Sequence, residues 1–388
     1  MGDNKKILMV NHYCGMIGGI ERYIVEMTRL FKSEGRLVAA LCVENRGDSV
    51  KFAEEFDTLY MFDKNRDPAE QIEKIRSDGF NAVIIHKVLD CKLLAAVVNL
   101  FPDSTAVIHD HDYYCMRSHK YFPYKRINCQ YPFSIIRCSI CSLMIRKKAG
   151  VPPVEFNSPF IYSRRLSLLK KVSRVVVLSE YMRKNMIENG FSSAVVEKIY
   201  PVVKPAPERS GKRLENDEES VLNILFAGQI IRGKGLDLLI EAIKMVKCKY
   251  TLRIVGRGND EGFIKSMIND AGLTDFIDFK GFSEDIAEDY HWSDLVVVPS
   301  RWQEPFGLVG VEAFARKKAV IGFDVGGISE WLKDGERGCL IEAGNSVKLA
   351  EAIDMLSGDP ELLRRMGNNG YNFISEYCSS DVFIESFK

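Results

Sequence analysis

Apolar, β-branched runs alternate with helix-patterned segments along this 388-residue chain, which predicts an α/β protein with two parallel sheets. Three observations carry the prediction. The apolar runs are near-continuous instead of alternating with polar residues, as in strands covered on both faces. A segment of helical spacing follows each run. The series is interrupted once, at 201–220, by a stretch rich in Pro and charge and poor in apolar residues, which reads as a link between domains. Two Rossmann-like parallel-sheet domains facing a central cleft would put that cleft at the carboxyl ends of their strands.

In the first half the strand-like runs fall at 6–13, 36–43, 81–87, 105–110 and 174–179. Between the first two, residues 21–35 carry apolar side chains at helical spacing and end in Gly35, a common helix stop. In the second half the runs fall at 222–228, 250–256, 276–281, 294–300 and 319–324. The expected domains are 1–203, with a basic, cysteine-containing insertion at about 112–165, then a linker at 204–220, then 221–370. Residues 371–388 are expected to form a C-terminal helix.

Hydrophobic content of 46% and charged content of 27% are those of a soluble globular protein. Lys plus Arg, 53, balances Asp plus Glu, 53, so the chain as a whole is no polyanion binder. No apolar run approaches the ~18 residues of a membrane span. Residues 1–6, Met-Gly-Asp-Asn-Lys-Lys, enter a strand without a signal-peptide apolar region. Lys6 stands where myristoylation wants Ser or Thr. A cytoplasmic enzyme is expected. Its ten cysteines then point to free thiols or metal before a disulfide framework.

Residues 300–330 concentrate the chemistry. Glu304-Pro-Phe-Gly-Leu-Val-Gly-Val-Glu312 sets two carboxylates eight residues apart, after the run 294–300. Pro305 and Gly307 form a loop, and a helix at roughly 308–316 follows. Its N–H groups suit an anion, while Glu312, about one turn in, can accept from sugar hydroxyls. A bare pair of glutamates at this spacing is common by chance. The full string is more specific, because it follows a strand and is followed by Gly326-Gly327-Ile328-Ser329-Glu330.

This stretch resembles the E-x7-E signature of retaining GT-B-fold glycosyltransferases, glycosyltransferase family four. The likeness extends over nearly the whole chain, with its strongest motifs in 222–345. It implies that Glu304 faces the donor sugar and Glu312 the ribose, and that Phe306, Gly307 and Leu308 supply amides. It also implies a nucleoside-diphosphate-sugar donor, UDP- or GDP-linked. The acceptor would be a carbohydrate or lipid-linked hydroxyl, as in polysaccharide synthesis. The last helix would cross back onto the first domain. No catalytic metal is expected, since the one Asp-x-Asp, Asp110-His-Asp112, lies in the other half. The rival readings are a nucleotide-sugar epimerase and a non-catalytic sugar-nucleotide-binding or membrane-associated protein.

Further motifs fit the same reading. Gly228-Gln-Ile-Ile-Arg-Gly-Lys-Gly235 follows a strand and opens a helix. Lys234 matches the family's phosphate-binding lysine. Gln229 stands where the family has Arg, so Arg232 is the candidate to supply the missing charge. Gly256 resembles the glycine turn beside the nucleotide, and Phe282 lies where the family's backbone meets the base. In the first half, Gly15-Met-Ile-Gly18-Gly19-Ile-Glu21 resembles the Gly-Gly-x-Glu loop near the donor phosphates. It breaks the dinucleotide G-x-G-x-x-G spacing. His111-Asp112 matches a His-Asp pattern whose His touches the donor sugar.

Two features lie outside the resemblance. Cys115, Cys129, Cys138 and Cys141 fall within 27 residues and end in Cys-x2-Cys, a spacing that allows a structural four-thiolate zinc. Residues 117–174 hold 13 Lys or Arg against one acid, Glu155, with aromatic and aliphatic residues interleaved. That combination suits an anionic membrane surface and a peripheral location on the inner face of the membrane. It lacks the aromatic pattern of a nucleic-acid binder.

Overall fold

The computed structural model describes residues 6–122, 127–147, 154–206, 221–283 and 285–387. Strands that are apolar on both faces need cover on both faces, and they find it in two separate cores. One unit holds the residues up to Val202 together with those from Phe383 onward, and the other is Val203–Val382.

The first unit is a seven-stranded, all-parallel sheet. Its order is Val196–Lys198, Arg174–Val177, Thr105–Ile108, Phe80–Ile85, Lys6–Val10, Val38–Cys42, Thr58–Met61. Leu8, Val10, Leu41, Ile85, Ile108 and Val177 form its core with the helices that cover it. The chain leaves Lys6–Val10 toward one edge and then returns on the other side. The strand order therefore reverses at the carboxyl end of Lys6–Val10, the place where open α/β sheets bind ligands.

The second unit is a six-stranded parallel sheet. Its order is Ile277–Gly281, Tyr250–Val255, Leu222–Ala227, Leu295–Val298, Ala319–Phe323, Gly338–Ile341. Here the reversal lies between Leu222–Ala227 and Leu295–Val298, whose register pairs Ile224 with Leu295 and Leu225 with Val296. The loops leaving these two strands carry Lys234 and Glu304, so the sheet topology alone brings them to one crevice.

Elements differ from the sequence reading at edges and ends. The helices expected at 21–35 and 308–316 run Gly19–Ser33 and Leu308–Phe314. Three strands without a long apolar run, Thr58–Met61, Val196–Lys198 and Gly338–Ile341, all pair at sheet edges. The boundary expected at 370 falls inside the helix Pro360–Tyr377. A Cβ on Gly370 would lie 2.2 Å from the Phe314 ring, so this glycine serves close packing, not helix termination. Of the expected linker 204–220, residues 207–220 lie outside the described residues. Among the described residues, no helix is long and apolar enough to cross a membrane.

Candidate functional site

In the second unit two loops interlock. After Leu222–Ala227 the chain makes a short 3-10 turn, Arg232–Lys234, closed by Gly235 at φ +70°. Only a residue without Cβ fits there, because a Cβ would lie 1.8 Å from the Pro299 carbonyl oxygen. The amides of Arg301 and Trp302 donate to the Gly233 carbonyl at 2.8 and 3.3 Å. The Arg301 guanidinium pairs with Asp237 in the first turn of the helix that follows. The lysine turn is thereby held against the loop that follows Leu295–Val298.

This places Lys234 Nζ 2.6 Å from Glu304 Oε1. The Ser300 hydroxyl donates to the same oxygen, also at 2.6 Å. The Glu304 carboxylate is 9% exposed and the Lys234 side chain 31%. The backbone of Glu304 is fixed from behind. Gly327 N–H donates to its carbonyl at 2.7 Å, and a Cβ on Gly326 would lie 2.2 Å from that carbonyl oxygen. The Gly-Gly pair seen in the sequence is therefore the wall on which Glu304 rests.

Beyond Glu304, Phe306 is buried and its carbonyl accepts from Trp331 Nε1 at 2.5 Å. Gly307 starts the helix Leu308–Phe314 at φ +92°. Glu312, half-buried on that helix, accepts from the hydroxyl of fully buried Tyr290 at 2.9 Å. The Arg316 guanidinium lies over the Tyr290 ring, 4.8 Å from its centre.

The other donor-side candidates sit nearby without joining this pair. Arg232 is exposed and lines a small hollow with Ile230, Asp260 and Phe263; Lys234, Glu304 and Glu312 are not part of that lining. Gln229 is exposed. The Gly256 amide donates to the Gly281 carbonyl at 2.8 Å, which brings its turn beside Phe282. Phe282 is exposed, and the Arg257 guanidinium stacks 4.4 Å from its ring centre.

In the first unit, Gly18 precedes the helix Gly19–Ser33 and its N–H donates to Glu21 Oε2 at 3.1 Å. Glu21 is buried, and burial pushes its pKa above the ordinary carboxylate value. It acts here as a helix cap. At the strand ends, Lys87 Nζ lies 2.7 Å from Asp110 and also pairs with Asp112. Burial alone would lower the lysine's pKa, but the two carboxylates override it and raise it. Burial, and then the neighbouring Asp112 charge, raises Asp110.

His111 is 1% exposed. Its Nδ1 lies 2.7 Å from the Tyr114 hydroxyl and its ring stands edge-on to Tyr181. Beneath it, His86 and His109 stack, with Nδ1 of the first 2.9 Å from Nε2 of the second.

Burial lowers His109 from 6.5 to about 3 and His12 to about 4, and drives His86 well down too. In the unfolded chain these groups take up protons once pH falls below about 6.5, while the folded chain resists until near its own lower values. Stability is therefore complete above that range and is lost as pH falls from 6.5 toward 4, at up to about 1.4 kcal/mol per pH unit for each histidine. Thermal midpoints measured from pH 8 to 4 should be flat and then fall, with a shallower fall in His109→Asn.

The four insertion cysteines share one neighbourhood. Cys115 Sγ accepts from the Lys120 amide at 3.4 Å, and Cys138 Sγ from the Ser134 amide at 3.5 Å. Burial pushes the Cys115 thiol up to about 11 and raises Cys138 and Cys141 as well. Cys129 forms a weak contact with the Tyr131 carbonyl. Among the described residues, no three His, Cys, Asp or Glu side chains are arranged to hold a metal ion.

Sequence reasoning passed over Ser300, Tyr290, Trp331 and Lys87. Ser300 and Lys87 each end an apolar strand-like run, which is the one local sign they carry.

Comparison with known proteins adds the following. The family model described as Glycosyl transferases group 1 matches residues 208–373. An uncharacterized glycosyltransferase of Methanocaldococcus jannaschii is 32% identical over 206 residues, 53% of this chain and 55% of that protein. The lipopolysaccharide 1,2-N-acetylglucosaminetransferase of Salmonella typhimurium is 32% identical over 211 residues, 51% of each chain. The chain thus spans about half the length of the curated relatives it matches. Among solved structures, Anabaena HepE in complex with UDP superposes with a TM-score of 0.74 at 19% identity, covering 98% of both chains. A glycosyltransferase from Rickettsia africae gives 0.74 at 18%, covering 99% of this chain and 97% of that one. These likenesses establish the fold: two Rossmann-like parallel-sheet domains of the GT-B class.

Proposed function

We propose that this chain, which carries a group 1 glycosyl transferase domain at residues 208–373, moves a sugar from a nucleoside-diphosphate sugar to an acceptor hydroxyl with the anomeric configuration kept. The observation that carries the reading is the contact of Lys234 with Glu304 at the reversal of the second sheet. It sets a cation and a carboxylate side by side where a sugar diphosphate changes charge. As the glycosidic bond breaks, negative charge grows on the diphosphate and positive charge on the sugar ring. Lys234, assisted by Arg232, offsets the first, and Glu304 the second. Glu312, oriented by Tyr290, takes the ribose hydroxyls, and the turns at Gly256 and Phe282 border the base. Gly18 and Gly19, at the start of a first-unit helix, are kept as candidates for donor binding. His111 is kept as the candidate for contact with the donor sugar.

The test is nucleoside diphosphate release from UDP-, GDP- and ADP-sugars, followed by transfer to carbohydrate and lipid-linked acceptors and NMR of the product anomer. UDP-sugars come first, since the Anabaena neighbour was solved with UDP and with UDP-glucose. Isomerised donor without acceptor would mean an epimerase. Binding without turnover, with every acceptor, would mean a binding protein. Within this reading Tyr290→Phe removes one hydrogen bond to Glu312, worth about 1 kcal/mol. The donor KM should rise roughly fivefold with kcat little changed.

A further inference from the structure

We propose that the face built around the helix Ile135–Ser142 docks on an anionic lipid bilayer. The helix is inside out. Ile136 is 75% exposed and Ile140 66%, and Leu143, just past the helix end, is 55% exposed. They lie at i, i+4 and i+7, along one side. Cys138 and Cys141 are half-buried, and Ser142 is the helix's one buried residue. A surface helix of a globular domain does the reverse and hides its apolar stripe. Phe156 and Phe160, 71% and 67% exposed, extend the patch. The Asn157 amide, between them, bonds to the Met144 carbonyl at 2.8 Å, so these residues belong to one surface. Nearly half of the large apolar side chains left exposed among the described residues lie within 127–161. An exposed apolar area gathered in this way marks an interaction site.

Charge selects the occupant. Residues 117–174 hold 13 Lys or Arg against Glu155 alone, in a chain whose total is balanced; Lys120 and Arg165 are buried and Arg174 pairs with Glu197, so those three do not count toward this face. Arg137, on the same helix, lies 4.2 Å from the centre of the exposed Tyr131 ring. Aliphatic side chains to enter the acyl boundary, with cations and an aromatic to stay at headgroup level, are the composition of an interfacial segment. A second copy of this face would bring like charges together. A nucleic acid would leave Ile136, Ile140 and Leu143 without a partner. The inference does not depend on the transfer reaction proposed above.

Flotation of the full chain with phosphatidylcholine vesicles, with and without phosphatidylglycerol, tests it. Binding should require phosphatidylglycerol and fade in 1 M salt, where the Debye length shrinks to about 3 Å. The double variant Ile136→Ser with Ile140→Ser, both exposed and so harmless to folding, should lower the partition coefficient at least about tenfold. Arg137→Glu should weaken it as well. Equal binding to both vesicle types, or unchanged binding of the double variant, overturns the proposal. So does wild-type protein that ignores vesicles but forms a dimer broken by the double variant, which would make the occupant a second copy.

Discussion

Lys234→Ala should lower sugar transfer by about two to three orders of magnitude while leaving the fold intact. Removing one preorganised donor to a developing oxyanion costs about that much in other enzymes. Lys234 is the cation held 2.6 Å from Glu304. Its side chain is 31% exposed, so its loss opens no cavity. The Ser300 hydroxyl still satisfies the carboxylate oxygen it shares. The thermal midpoint should therefore move by no more than a few degrees. Glu304→Ala should cost a similar factor in kcat, since it removes the carboxylate proposed to offset charge on the sugar. Lys234→Arg should recover part of the rate, because the charge returns with a different reach. Single-turnover release of nucleoside diphosphate, measured beside donor binding, separates these outcomes. Unchanged turnover in both alanine variants would sink the assignment.

Trp331→Ala should be the most destabilising single change in the second unit, at about 3–5 kcal/mol. The indole is fully buried and packs edge-on against Phe314, with ring centres 5.5 Å apart. A Cβ on Gly310 would lie 1.9 Å from it, so the helix Leu308–Phe314 rests directly on the ring. Its N–H also holds the Phe306 carbonyl. Trp331→Phe keeps most of the packing and loses that bond, at a cost of about 1 kcal/mol. Because Glu312 rides on the same helix, the donor KM should rise in the Phe variant although no ligand-facing atom has changed. Urea midpoints together with KM measure both effects.

The two sheets were legible because their central strands are buried on both faces and so must be written as apolar runs. Thr58–Met61, Val196–Lys198 and Gly338–Ile341 escaped because edge strands lack a neighbour on one side and bury less. The segment 304–312 stood out because its two carboxylates are close in sequence and bracketed by a strand and a glycine pair. What contacts them did not. Lys234 reaches Glu304 across 70 residues and Tyr290 reaches Glu312 across 22, and nothing local announces either.

The glycine contacts have a consequence for anyone wishing to re-engineer this molecule. Gly235 against Pro299, Gly310 against Trp331 and Gly326 against Glu304 leave no room for even one carbon atom. A mutant library that varies these three positions will consist mainly of misfolded clones. Gln229, Arg232 and Phe282 are exposed. On the proposed reading, randomising those three alters the chemistry offered to a donor while the joinery at the glycines stays fixed.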